Sequence, residues 1–224
     1  PPMPRVRSDA VTSDQDIDVA VREFDGDSVL TGSFSGTLTA SAPRRIEAER
    51  AVFVGVDLTG CDLSGSRFYD CEFTNCVLDG TRLVGVRMDG TRFDTCSLAG
   101  VDLAESDCLN VIAVRSKLSY CNLSSAILTR VVIDGCPALD VAFDGSQLRD
   151  VRLTNCQLDG STFHKAGVHA TSQLDLRGSN LDRVAGLLGI GALLIDSAQS
   201  VPIAALLLAE RRVEISDDPP PAAG

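Results

Sequence analysis

An apolar residue recurs at every fifth position over about half of this chain. From Phe53 the series runs Phe53, Leu58, Leu63, Phe68, Phe73, Leu78, Leu83, Met88, Phe93, Leu98, Leu103, Cys108, Ala113, Leu118, Leu123, Leu128, Ile133, Ala138, Phe143, Leu148, Leu153, Leu158, Phe163 and Val168. The residue two before each of these, from Ala51 and Val56 to Ser161 and Ala166, is always Ala, Val, Cys, Ser or Thr. A strand repeats every two residues and a helix every 3.6, so a sustained period of five fits neither. It fits a coil that turns a corner in each unit and points one large and one small side chain inward. The residue two after the centre is often glycine, as at Gly55, Gly60, Gly65, Gly80 and Gly90, where a corner needs unusual backbone angles.

Grouping the units in fours places like residues over like. Phe53, Phe73 and Phe93 form one column, Leu58, Leu78, Leu98 and Leu118 the next, and a third runs Leu63, Leu83, Leu103, Leu123 before switching to Phe143 and Phe163. The expected fold class is therefore an all-β solenoid of about six four-sided coils, on the order of 29 Å long at a strand spacing of ~4.8 Å.

The units Val56-Asp57-Leu58-Thr59-Gly60, Cys61-Asp62-Leu63-Ser64-Gly65 and Cys121-Asn122-Leu123-Ser124-Ser125 resemble the pentapeptide-repeat family, whose consensus is Ala-Asp/Asn-Leu-x-x. The resemblance implies a right-handed quadrilateral β-helix. In particular the chain resembles the quinolone-resistance group, whose members bind DNA gyrase or topoisomerase IV as DNA mimics. General scaffolding members share the same repeat.

A solenoid needs its ends covered. The expected organisation is a disordered tail over 1–16, an N-terminal capping segment with a strand over 17–50, the β-helix over 51–170, a last coil in shifted register over 171–195, a helix over 196–213 and a disordered tail over 214–224. The strand of the first cap is read from the alternation of Ser33 to Ala40. The shifted coil is read from Leu174, Leu176 and Leu181. Asp196 and Gln199 are spaced as a capping box, and Pro202 is placed to kink or split the first turns. Ile203, Leu206, Leu207 and Leu208 make the apolar side of the helix. Two roles stay open for it: plugging the core, or pairing two copies, as the resemblance implies for C-terminal helices of this kind.

The net charge of −11 and the absence of any Lys/Arg cluster longer than Arg44-Arg45 or Arg211-Arg212 argue against direct nucleic-acid binding, which needs a basic surface. No apolar run is long enough to span a bilayer, and Pro1 to Ala10 lacks the apolar core of a signal peptide. The chain reads as soluble and cytoplasmic. Of its eight cysteines, Cys61, Cys71, Cys76, Cys96, Cys121, Cys136 and Cys156 sit at the small inward position and Cys108 at a centre, which makes them free, buried packing groups. His164 and His169, the only histidines, have no ligand spaced to join them and read as solvated. Gly186-Leu187-Leu188-Gly189-Ile190-Gly191 and Gly32-Ser33-Phe34-Ser35-Gly36 lack the lysine of a phosphate loop and the spacing of a dinucleotide fingerprint. No catalytic residue, cofactor or metal is expected.

Function is thus expected on the outside, in a non-enzymatic binding protein. Outward acidic residues Asp57, Asp62, Glu72, Asp79, Asp89, Asp94, Asp102, Asp107, Asp134, Asp144 and Asp159 run in rows along the rod, interrupted by Arg67, Arg82, Arg87, Arg92, Arg149 and Arg152. Such rows can imitate the regular charge of a duplex, which is the DNA-mimic expectation, or can be a solvated surface. Ile112, Val114 and Val132 are predicted to point outward on one side of adjacent coils, where an apolar patch would receive a protein partner or a second copy. The alternative to a gyrase-binding mimic is a protein–protein interaction scaffold with an unrelated partner.

Overall fold

The computed structural model describes residues 14–22, 29–38 and 45–210. In chain order the elements are β1 (Gln15–Asp16), α1 (Ile17–Arg22), β2 (Leu30–Ser35), β3 (Glu47–Val54), β4 (Arg67–Tyr69), β5 (Glu72–Thr74), β6 (Arg87–Asp89), β7 (Arg92–Asp94), β8 (Asp107–Leu109), β9 (Ile112–Val114), β10 (Ile127–Thr129), β11 (Val132–Asp134), β12 (Gln147–Arg149), β13 (Arg152–Thr154), β14 (Gly167–Val168), β15 (Leu174–Asp175), β16 (Leu193–Leu194) and α2 (Ser200–Glu210). The strands join one parallel sheet that wraps into a solenoid. One strand wall stacks β4, β6, β8, β10, β12 and β14, and the other stacks β5, β7, β9, β11, β13, β15 and β16, with β3 spanning both at the start. The remaining two walls are tight turns, tied from coil to coil by single bridges such as Asp57↔Val77 and Asp62↔Arg82.

Through the middle of the rod the partners stand 20 residues apart, as in Phe53↔Phe73, Phe93↔Ala113 and Ile133↔Leu153. The rod has about eight turns where the five-residue frame alone predicts six. The additional turns lie at the ends and keep a different count. Phe34 on β2 pairs with Phe53, and Leu174 with Leu193, at a separation of 19, whereas Arg152 pairs with Asp175 at 23. At ~4.8 Å per step the stack is roughly 38 Å long.

The inward positions are buried as the period predicts, from Phe53 to Phe163 at the centres and from Ala51 to Ala166 at the small positions, while Val168, next to the frame slip, is half-buried. The aromatic columns are literal stacks. Ring centroids are 5.3 Å apart for Phe34 and Phe53, 4.4 Å for Phe53 and Phe73, 4.9 Å for Phe73 and Phe93, and 4.7 Å for Phe143 and Phe163. Small side chains follow a rule of their own, because most polar ones reach a carbonyl of the coil below, while Ser116 and Ser146 reach one in their own coil, Val114 O at 2.9 Å and Phe143 O at 2.7 Å. Thr81 Oγ1 donates to Leu58 O at 2.7 Å, Cys121 Sγ to Leu98 O at 2.9 Å and Ser161 Oγ to Ala138 O at 3.1 Å. Cys, Ser and Thr are therefore tolerated inside because a partner is always within reach.

Every corner takes a left-handed conformation, and glycine is only one way to supply it. Asp70, Asn75 and Tyr120 do so with φ of 51°, 54° and 66°, accepting a strain that Gly90 and Gly160 avoid. Those two glycines have a second reason to lack a side chain: an added Cβ would lie 2.3 Å from Asp70 Oδ1 at Gly90 and 2.2 Å from Asp140 Oδ1 at Gly160.

At the C-terminal end the last coil is closed by polar groups before the helix begins. Asp196 Oδ1 accepts from Ala198 N and Gln199 N at 2.9 and 3.1 Å while Gln199 Oε1 accepts from Asp196 N at 2.9 Å, the reciprocal capping box its spacing predicts. Gln199 Nε2, buried, donates to Leu176 O and Ser179 O, both at 2.7 Å, and so satisfies carbonyls that a further coil would have taken. Ser197–Gln199 is a 3₁₀ turn, and α2 follows with Pro202 in its first turn. Of the helix's apolar residues, Ile203 is buried and Leu206 and Leu207 pack partly on the core, while Leu208 is half-exposed. The tails expected over 1–16 and 214–224 lie outside the described residues except for 14–16, where β1 pairs with β2. Residues 39–40 of the expected first strand and 211–213 of the expected helix also lie outside them. No helix among the described residues is long and apolar enough to cross a membrane.

All eight cysteines are free and buried. Burial pushes the thiols of Cys71, Cys121 and Cys156 up to about 12 and that of Cys108 to about 11. Cys76 is raised first by its hydrogen bond with the Cys96 thiol one coil on, then by burial.

Two predictions follow from this core. Leu98→Asp, at a buried centre, leaves a carboxylate unpaired in the stack and costs on the order of 4 kcal/mol. Asp94→Ala removes the outward ion pairs with Arg92 and Arg115 and the exposed hydrogen bond from Thr95 Oγ1, and costs about 1 kcal/mol or less. Urea midpoints compare the two, and similar values would mean the register is misassigned. The thiols give the second. Each raised thiol contributes stability that is fully present below its unfolded value of ~8.5 and is lost as pH climbs toward its folded value, at up to roughly 1.4 kcal/mol per pH unit. Urea midpoints measured from pH 7 to 10 should fall steeply above about pH 8.5. The fall should be shallower in a Cys71→Ala, Cys121→Ala, Cys156→Ala protein.

Candidate interaction surfaces

The five-residue unit decides which side chains meet solvent. The residues on either side of each centre point outward and the corner residue projects from an edge, so a coil presents four short rows and four corners. The two strand walls share one edge, marked by corner residues Asp70, Gly90, Asn110, Arg130 and Asp150. The two turn walls share the opposite edge, at Gly60, Gly80, Gly100, Tyr120, Asp140 and Gly160. Any surface that docks a partner must be assembled from these rows.

The acidic residues do not form one face. Glu72, Asp94 and Asp134 stand on the β5–β13 wall, Asp89 and Asp107 on the β4–β12 wall, Asp57, Asp79 and Asp159 on one turn wall, and Asp62, Asp102 and Asp144 on the other. Many staple the backbone or bind the next coil. Asp57 accepts from Thr59 Oγ1 at 2.6 Å and Asp62 from Ser64 Oγ at 2.6 Å, and these hydrogen bonds, with those from the Thr59 and Ser64 amides, hold both carboxyls below the usual range. Asp79 accepts from Ser97 Oγ at 2.6 Å, Asp102 from Asn122 Nδ2 at 2.9 Å and Asp144 from the His164 amide at 2.8 Å. Asp159 is held low by the Arg183 guanidinium.

Their charge is nonetheless unevenly balanced around the rod. On the turn walls and their shared corner, Asp57, Asp62, Asp79, Asp102, Asp140, Asp144 and Asp159 outnumber the cations Arg82, Lys117 and Arg183, of which Arg183 pairs with Asp159. On the strand walls acid and base alternate and pair, as in Arg67–Glu47 at 3.2 Å, Arg92–Asp94 at 3.1 Å and Arg115–Asp94. One side of the rod is acidic and the opposite side is close to neutral.

The neutral side carries the apolar patch. Ile112 and Val132 are direct partners on β9 and β11, and Val114 lies two residues along β9 from Ile112, opposite Asp134. All three are half-buried. Around the shared edge, half-buried Leu109 on β8 continues the patch. Ile127, diagonal to Leu109 on β10, is 43% exposed. Reading the sequence for outward apolar residues finds the first three and misses these two, although they flank the centres Cys108 and Leu128 just as Ile112 and Val132 flank Ala113 and Ile133.

Above the patch, where the register changes from 20 to 23, the wall opens into a shallow recess of about 500 Å³ lined by Val114, Val132, Asp134, Arg152, Thr154, Asn155, Asp175, Arg177 and Gly178. His164 and His169 are exposed, and His169 Nδ1 is 3.0 Å from Thr171 Oγ1. Among the described residues no group of three or more His, Cys, Asp or Glu is arranged to hold a metal. On α2, Val201 is 75% exposed and Pro202, Ala204 and Ala205 are exposed beside it, so the side turned away from Ile203 is apolar as well.

Comparison with known proteins returns a family model described as pentapeptide repeats, matching eight copies over residues 51–90 and 96–135. No curated protein sequence matches. Among solved structures, a trypsin-treated form of QnrB1, described as a plasmid-mediated fluoroquinolone resistance protein, is 19% identical with a TM-score of 0.41, covering 85% of this chain and 97% of its own. Full-length QnrB1 is 18% identical with a TM-score of 0.31, covering 80% and 96%. HetL, a pentapeptide repeat protein involved in heterocyst differentiation regulation from the cyanobacterium Nostoc, is 17% identical with a TM-score of 0.30, covering 73% and 86%. The residues that match the pentapeptide-repeat model, 51–90 and 96–135, are ones whose five-residue period folds into the four-walled coils, so this part of the chain is similar to pentapeptide repeats in both sequence and shape.

Proposed function

We propose that this chain is a non-enzymatic binding protein that engages another protein through the strand walls of its rod. The observation that carries the reading is the apolar strip of Leu109, Ile112, Val114, Ile127 and Val132. The same wall positions elsewhere hold Arg67, Glu72, Arg92, Asp107, Gln147 or Arg152. These side chains flank a core already filled by stacked Phe and Leu, and contiguous apolar surface spread over neighbouring coils marks a contact. Val52 and Val54 on β3 are a separate apolar pair on the same wall, cut off from the strip by the polar outward residues of β5 and β7. A rod packed solid to its axis has no interior cleft in which to enclose a substrate.

A second reading rests on a different observation, the acid excess of the turn walls. Carboxylates spread over one side of the rod, at Asp57, Asp62, Asp79, Asp102, Asp140, Asp144 and Asp159, give that side a net negative surface, which supports a DNA mimic that binds DNA gyrase or topoisomerase IV and modulates quinolone sensitivity. The two readings use opposite sides of the molecule and are separable by mutation. The exposed apolar side of α2 supports a third contact, with a second copy of the chain, placing a homodimer interface at the end of the rod.

For the strand-wall reading, an Ile112→Asp, Val132→Asp protein should lose its partner in a pull-down while its melting temperature and oligomer size stay those of wild type. Val201→Asp, on the helix, should change oligomer size and spare the partner. Unchanged partners in the double variant would refute the strand-wall contact. For the DNA-mimic reading, gyrase supercoiling is measured with added protein, with and without a quinolone. A change in activity or in drug inhibition that weakens in an Asp79→Asn, Asp102→Asn variant supports it, and no change in either sinks it.

A further inference from the structure

We infer that the recess on the β5–β13 wall receives a carboxylate side chain from an acidic, apolar segment of the bound protein, with Arg152 as the group that recognises it. The inference rests on the strand-wall reading above and specifies the chemistry of what docks there. Val114 and Val132, two residues of the apolar strip, also line this recess, so a segment lying on the strip extends into it. Four charged side chains line the same hollow, and three of them are already engaged. Asp134 Oδ1 accepts from Thr154 Oγ1 at 2.6 Å and Asn155 Nδ2 at 2.8 Å. Asp175 is buried and takes the forked guanidinium of Arg177, with Nε on Oδ1 at 2.9 Å and Nη2 on Oδ2 at 2.8 Å, and Oδ1 also accepts from the Arg177 amide at 3.2 Å.

Arg152 is the remainder. It is exposed and, among the described residues, its side chain donates no hydrogen bond, and Asp175 acts on it only through space. A guanidinium carries five donors and matches a carboxylate in a forked pair. An incoming ammonium or guanidinium would meet Arg152 beside carboxylates that are already taken, so a basic segment is disfavoured. The valines require that the carboxylate arrive with apolar neighbours. The occupant is thus a peptide strand that alternates Glu or Asp with Val, Ile or Leu.

The test uses the full chain and two fluorescein-labelled peptides, acetyl-Val-Glu-Val-Glu-Val-amide and the same peptide with Gln in place of Glu, read by fluorescence anisotropy at fixed ionic strength. Wild type should bind the Glu peptide roughly tenfold more tightly than the Gln peptide, one charge-assisted pair. The preference should vanish in Arg152→Gln, whose melting temperature stays that of wild type because the side chain is exposed. Equal affinities for the two peptides on wild type, or a preference that survives Arg152→Gln, overturns the assignment of Arg152. The Ile112→Asp, Val132→Asp protein separates this failure from that of the strand wall itself. If it loses both peptides while wild type does not discriminate between them, the wall docks protein and the carboxylate inference is wrong. If wild type binds neither peptide, or the double variant binds both as wild type does, both readings fall together.

Discussion

Each coil hangs from the one below by backbone hydrogen bonds between residues 19 or 21 positions apart, which hold Cα partners 20 apart through the middle of the rod, and the regular part of the molecule depends on that register. Val77 N reaches Val56 O, Ser97 N reaches Cys76 O and Lys117 N reaches Cys96 O at 2.9 Å each. A change of count has to be absorbed between two walls, as the three additional residues before Asp175 are, after which Asp175, Asn180 and Ala185 bond to the coil below in a register of 23. Because the count is kept from Phe53 to Leu153, every inward position lies over an inward position, so Phe53, Phe73 and Phe93 meet face to face and Cys76, Thr81, Cys121 and Ser161 each reach the carbonyl 23 residues back. Cooperativity here is between neighbours only: a coil sees the coil above and the coil below, as expected of a quasi-one-dimensional fold.

The same constraint explains what could be read from the residues and what could not. The period of five, the columns of Phe and Leu and the packing role of the cysteines are visible because each depends on spacing alone. The terminal coils are visible only in outline, as the alternation of Ser33 to Ala40 and the shifted series Leu174, Leu176 and Leu181; their pairing is not, because they keep 19 or 23 residues per turn instead of 20. Phe34 gives no sign in the five-residue frame that it will stack on Phe53. The capping box at Asp196 and Gln199 is legible as a local motif. That Gln199 also seals Leu176 O and Ser179 O depends on where the last coil ends in space.

The surface was less legible than the core for a related reason. Four units make a coil, so acidic residues that look like rows along the sequence are dealt out to all four walls. Their uneven balance appears only once Asp57, Asp79 and Asp102 are separated from the paired charges of the strand walls. Leu109 and Ile127 join the apolar strip because β8 and β10 turn the edge into β9 and β11, a neighbourhood set by the coil and not by proximity in sequence. The recess at Arg152 was invisible altogether, since it arises from the slip in register between β13 and β15.

That slip is where the structural constraint and the surface chemistry meet. A solenoid in strict register offers a partner only flat rows with a uniform pitch, and uniformity gives affinity without much selectivity, since any position along the rod resembles the next. Specific recognition needs a place where the repeat is broken. Here the break brings Asp175 opposite Arg152 and lets Arg177 occupy that carboxylate, which leaves one guanidinium of the wall without a hydrogen-bonded acid, beside two valines. A fold that spends its interior on regularity can distinguish one partner from another only through such departures from it.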